Sequence, residues 1–200
     1  MKTLYFVTVN DYKLTEAKEY LKGTSIRLEP VKFEIQEILH LNLDDIVRDK
    51  CIKAYQKIRL PCVVEHGGLY IKALHELPGG LSKVVWDNLK GQLCKLIPEG
   101  QSRSAEARSV IGYCDGKRIR LYTGATKGKV AEAARGDYIF QWDPIFIPTG
   151  ETRTYAELGL SGKAKYSQAA KGWRELSRSI DSTESLDPKD KTNHVVRAST

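Results

Sequence analysis

The chain has no C-x-x-C pair; its four cysteines, Cys51, Cys62, Cys94 and Cys114, stand far apart. That spacing indicates neither a zinc site nor a disulfide framework, and reduced thiols are expected. No apolar run is long enough to span a membrane. The run from Leu4 to Val9 is also too short for a signal peptide, and its period suits a strand, so a cytoplasmic protein without a membrane partner is expected. No single basic run dominates either: the formal net charge of +7 comes partly from lysines and arginines scattered along the chain. Such a balance suits polyanions, whether nucleic acid or the triphosphate of a nucleotide. Without a recognition-helix pattern or the aromatic-basic signature of an RNA-binding sheet, nucleic acid is the weaker choice.

Two hundred residues of ordinary hydrophobic content fit one domain, placed at 1–176, followed by a polar stretch of mixed charge at 177–200 expected to be a flexible tail. Strands and helices alternate. Leu4 to Val9 reads as a strand, Tyr12 to Leu21 as an amphipathic helix ending before Gly23, and Ile26 to Val31 as a second strand. A helix from Leu43 to Ile58 is capped by Asn42, and Pro61-Cys62-Val63-Val64 is a buried strand. Ala107 to Tyr113 and Arg118 to Tyr122 flank Asp115-Gly116 as a hairpin, and a last helix covers about Lys165 to Leu176.

The stretch from Arg135 to Pro148 is the most informative. Pro144 biases Asp143 to extended geometry at the mouth of a short strand, Ile145-Phe146-Ile147. Phe140 and Trp142 flank Gln141, so in extended geometry they share a face and can sandwich a planar ring; the alternative is that both are core. Thr8-Val9-Asn10-Asp11-Tyr12-Lys13 is a strand end feeding a helix N-terminus. Free amides and the helix dipole hold an anion there, with Lys13 supplying a point charge one turn in, which makes Asn10 and Lys13 candidate phosphate ligands.

These blocks, with Glu65-His66-Gly67-Gly68-Leu69, Leu77-Pro78-Gly79-Gly80-Leu81-Ser82-Lys83 and Lys163-Ala164-Lys165-Tyr166-Ser167-Gln168-Ala169, resemble in order the inosine/xanthosine triphosphate pyrophosphatase family. Its members are house-cleaning enzymes that hydrolyse deaminated purine nucleoside triphosphates to monophosphate and pyrophosphate. The resemblance runs from Thr8 to about Trp173. It implies an α/β fold with a mixed twisted sheet, flanking helices and two lobes around a nucleotide cleft, a purine or modified nucleotide as ligand, and the family's homodimer. It also implies that Asn10, Lys13 and Lys50 meet the substrate's phosphates, that Lys83 is brought towards the nucleotide, that Glu37 helps hold a magnesium ion, and that Thr8, Lys163, Ser167 and Gln168 bind substrate together with Phe140, Trp142 and Asp143 on the base side.

Two departures stand out. The family's aspartate, a magnesium ligand and activator of the attacking water, is His66 here, and its hydroxyl neighbour is Gly67. A neutral imidazole is a poor magnesium ligand, although His66 can serve as a base. The family's His-Arg pair, which reads the purine six-keto group, is replaced by Gln168 and Ala169, the latter leaving room for a larger base. The expected function is nucleotide binding with altered or reduced hydrolysis, and the catalytic candidates are His66, Glu37 and Lys50. Two alternatives stand beside it: a catalytically silent nucleotide sensor or partner-binding protein, and an enzyme of changed chemistry such as N-glycosidic cleavage.

Overall fold

A computed structural model describes residues 2–184. Strand β1 (Lys2–Val7) runs into a turn and then helix α1 (Asp11–Tyr20), whose N-cap Asn10 accepts from the Lys13 backbone amide at 3.1 Å. Strand β2 (Ile26–Val31) lies parallel to β1, and helix α2 (Leu43–Ile58) starts at Asn42, whose side chain accepts from the Asp44 amide. The long strand β3 (Cys62–Ile71) follows, then the two-residue β4 (Pro78–Gly79) and helix α3 (Ser82–Leu89). Strands β5 (Ser104–Cys114) and β6 (Ile119–Val130) form the hairpin announced by Asp115-Gly116, where Asp115 Oδ1 accepts from two turn amides and Gly116 has φ 87°. Strand β7 (Phe146–Pro148) and helices α4 (Tyr155–Lys163) and α5 (Gln168–Glu184) complete the described chain.

The sheet is mixed and seven-stranded, in the order β2-β1-β3-β5-β6-β7 with β4 on β3. β2, β1 and β3 run parallel and the other pairings are antiparallel. β3 and β5 are paired from Cys62–Cys114 to Ile71–Ala105, long enough to serve two lobes. At one end their side chains join α1 and α5 in a core around Phe6 and Trp173. The opposite face of the same end packs on α2 around Val47, Cys51 and Val64. At the other end Leu69, Ile71, Ala107 and Val130 join Trp86, Trp142, Phe146 and Tyr155 in a second core. The two lobes expected from the resemblance are therefore halves of shared strands.

Several expected boundaries move. β1 stops at Val7, because Thr8 and Val9 enter the turn. His66, Gly67 and Gly68 lie inside β3 rather than after it, and a side chain at Gly68 would meet the Gly79 carbonyl oxygen at 2.5 Å, so this glycine lets β4 close on β3. α4 was not anticipated, although Thr154 and Glu157 form a reciprocal capping box at its start. The last helix passes the expected end at Leu176 and runs to Glu184, since Trp173, Leu176 and Ile180 make one buried stripe and Ser177 is also buried. Placing the tail from 177 is thus corrected over its first turns; the rest of that stretch lies outside the described residues.

Candidate nucleotide cleft

A cavity of about 380 Å³ opens between the lobes. It is lined by the β1–α1 turn from Val7 to Asn10 with Lys13, by the segment 33–37 with Leu39, and by Lys50, Glu65, His66, Gly67, Lys83, Val84 and Gln141. The structure thus brings together seven of the sequence candidates: Thr8, Asn10, Lys13, Glu37, Lys50, His66 and Lys83.

The turn is braced from within, the Asn10 amide donating to Thr8 Oγ1 at 3.1 Å. Lys13 reaches across to β3, where its Nζ donates to the Glu65 carbonyl at 3.4 Å and lies 3.7 Å from Glu65 Oε1. Lys50, from α2, donates to the same carbonyl at 3.0 Å and to Glu37 Oε1. Two ammonium groups therefore converge on one oxygen. Burial lowers the Lys50 pKa, and nearby Lys13 lowers it further, against the pull of Glu37. The Glu65 carboxylate, absent from the sequence candidates, accepts from Ser109 Oγ at 3.1 Å and Trp173 Nε1 at 3.3 Å, which ties the strand that receives both cleft lysines to α5. Its place beside His66 in a buried strand was the signal available.

His66 is buried, with Nε2 2.9 Å from the Gly80 carbonyl oxygen and Nδ1 3.5 Å from Glu37 Oε2. A carbonyl only accepts, so Nε2 carries its proton. Burial pushes the Glu37 pKa up, but His66 and Lys50 outweigh it and hold the carboxyl well below the usual range. Lys83 sits at the rim, its side chain 60% exposed and paired with Asp87 one turn on at 2.6 Å.

The base-side candidates do not line this cavity. Gln141 has φ 29°, so the backbone is not extended there and Phe140 and Trp142 do not share a face. Phe140 stacks on Tyr12 at 4.8 Å and 19°, whereas Trp142 packs edge-on against Phe146 in the second lobe's core. The expected aromatic sandwich is thus corrected for Trp142, which burial claims outright. Beneath the Tyr12–Phe140 stack lies a sealed triad: Lys163 Nζ is bonded to Asp143 Oδ2 and lies 2.9 Å from Glu16 Oε1. Burial, with Glu16 adding to it and Lys163 opposing, pushes the Asp143 carboxyl up to about 7. Asp143 Oδ1 and Trp142 Nε1 are buried without a hydrogen-bond partner. Ser167 is buried at the start of α5, with its Oγ accepting from the Ala170 amide, and Gln168 Oε1 accepts from Tyr155 at 3.2 Å. Ala169 is core, not open space.

The shared-strand sheet and the lysines converging at the β1–α1 turn define a two-lobed α/β protein with a cation-lined cleft. The chain belongs to the Ham1 family, whose pattern covers residues 4–179. It is 39% identical over 173 residues to the dITP/XTP pyrophosphatase of Methanopyrus kandleri, covering 86% of this chain and 92% of the relative. The enzyme of the same name from Saccharolobus solfataricus is 37% identical over 178 residues, covering 88% and 92%. The HAM1 protein of Coxiella burnetii shares the fold with a TM-score of 0.75 at 25% identity, over 91% of this chain and 100% of that one. The Staphylococcus aureus Ham1 protein also superposes with a TM-score of 0.75, at 19% identity and the same coverage.

Pyrophosphatases of this family generally use divalent metal ions. The residues present here fit a protein-held magnesium poorly. Both Glu37 oxygens face nitrogens, Lys50 Nζ on one side and His66 Nδ1 on the other. Among the described residues no group of three His, Cys, Asp or Glu is arranged to hold a metal ion. No helix among them is long and apolar enough to cross a membrane.

Proposed function

We propose that this chain binds a purine nucleoside triphosphate in the cleft and hydrolyses its α–β phosphate bond to monophosphate and pyrophosphate, with lowered turnover or a changed base preference. The observation that carries this reading is the convergence of Lys13 and Lys50 beside the β1–α1 turn, in a chain whose relatives are dITP/XTP pyrophosphatases. Phosphoryl chemistry asks a protein mainly for positioning and charge stabilisation. The Asn10-capped turn presents the positive end of α1, and the two ammonium groups meet the charge that grows on the departing pyrophosphate. Glu37, with a side chain 33% exposed, is a cleft carboxylate able to accept from an incoming water.

A second reading, a nucleotide-binding protein without turnover, is favoured by one detail. Both His66 ring nitrogens face oxygen atoms of the protein, so neither presents a lone pair to a water in the cleft. Incubation with a panel of nucleoside triphosphates, read by monophosphate and pyrophosphate release beside equilibrium binding, separates the two. Product from any triphosphate supports the hydrolase; saturable binding with no product supports the silent form.

A further inference from the structure

We infer that the polyphosphate in this cleft is gripped by the protein's own cations, with no metal ion bridging it to the chain. The inference rests on the reading of the cleft as a nucleoside triphosphate site. Its first support is the state of Glu37. One oxygen accepts from Lys50 and the other faces His66, so a metal ion would have to share this carboxylate with an ammonium on one oxygen and an imidazole on the other, and could not chelate both oxygens without displacing them. The second is that His66 cannot readily swing away. Its Nε2 is anchored on the Gly80 carbonyl, and the Gly80 backbone is wedged in place: a methyl there would lie 2.3 Å from the His40 carbonyl oxygen and 2.7 Å from Ile46 Cδ1. The third is the Lys13–Lys50 pair. Two ammonium ions hydrogen-bonded to the single Glu65 carbonyl are close enough to repel each other, while each also faces a carboxylate, Lys50 that of Glu37 and Lys13 that of Glu65. An incoming phosphate oxygen relieves that repulsion and gains two charge-assisted hydrogen bonds. Magnesium in solution binds the same phosphate oxygens and reduces the charge that the lysines attract.

The test is a titration of the unmodified protein with two probes, inorganic tripolyphosphate and the non-cleavable α,β-methylene analogue of inosine triphosphate, each in excess magnesium and in EDTA. Binding in EDTA at least as tight as in magnesium is expected for both probes. In His66→Asp the order should reverse, magnesium tightening binding by about tenfold as a carboxylate oxygen becomes available to the ion. Binding of the unmodified protein only in magnesium would overturn the inference and leave the triphosphate reading standing. Absence of binding by both probes in both buffers would overturn that reading itself. An EDTA preference that His66→Asp leaves unchanged would overturn the part assigned to His66; if that variant does not fold, the comparison on the unmodified protein decides alone.

Discussion

The molecule holds two clusters made from the same ingredients, and they behave as opposites. In the cleft, Lys50 meets Glu37, whose side chain remains 33% exposed, with His66 facing its other oxygen and Lys13 beside the neighbouring Glu65, so that each carboxylate has its own lysine. Behind the Tyr12–Phe140 stack, Lys163 meets Glu16 and Asp143 with side chains 1%, 5% and 3% exposed, and carboxylates outnumber the cation. The first environment pulls a carboxyl's acidity up and the second pushes it down. Depth and the local count of charges, more than residue type, decide which cluster can exchange partners with a ligand and which is a structural fixture.

The largest effect expected from that contrast lies in the sealed triad. Lys163→Met leaves two buried carboxylates facing each other without a cation, a loss on the order of 3–5 kcal/mol of folding free energy. Chemical denaturation should show it as a marked fall in midpoint, whereas the same change at Lys50 should cost far less stability, because Glu37 can turn to water. Equal losses at both positions would remove the distinction between fixture and exchangeable cluster.

The next prediction concerns pH. Burial holds the Asp143 carboxyl up at about 7 in the folded protein, against an ordinary value of 3.8. Between those values the folded state keeps a proton that the unfolded chain has released, so stability is fully present below about pH 4 and declines as pH rises through about 7. One such proton sets a ceiling of about 1.4 kcal/mol per pH unit. Asp143→Asn should flatten the stability profile across that window; a profile just as steep in the variant would show that Asp143 does not keep its proton.

In the cleft, Lys13→Ala and Lys50→Ala should each weaken triphosphate binding by roughly 1–3 kcal/mol, the scale of a charge-assisted hydrogen bond. Calorimetric titration with the α,β-methylene analogue reads this directly. Unchanged affinity in both variants would mean that the cleft is not the phosphate site.

The cleft side was legible in the sequence because its residues sit on regular elements. Lys13 follows a capped strand-to-helix turn, and Lys50 lies within a helix whose Leu43 start and Ile58 end follow from Asn42 and the apolar period. The base side was less so. Phe140-Gln141-Trp142 reads as extended by alternation, but Gln141 takes a positive φ and separates the rings, a tertiary choice driven by Trp142 entering the core with Phe146 and Tyr155. The α5 overrun has the same origin. Ser177 to Glu184 is polar enough to look unstructured, and Ile180 alone, seven residues after Trp173, carries the stripe onward.

The smallest expected effect tests whether the two regions meet in a ligand. Tyr12 belongs to the first turn of α1, the turn that faces the cleft, and its ring lies on Phe140 at 4.8 Å with Lys163 Nζ 4.6 Å from the Phe140 centroid. A purine stacking on Phe140 must therefore take the place that Tyr12 fills. Tyr12→Ala removes an aromatic pair worth about 0.5–1.5 kcal/mol, and the melting temperature should fall slightly. Affinity for the inosine analogue should rise by a comparable amount, since the base no longer competes with a phenol, while affinity for tripolyphosphate, which has no base, should stay unchanged. A weaker grip on the nucleotide alone would make Tyr12 the ring on which the base stacks. Equal affinities for both probes before and after the change would place the base away from Phe140.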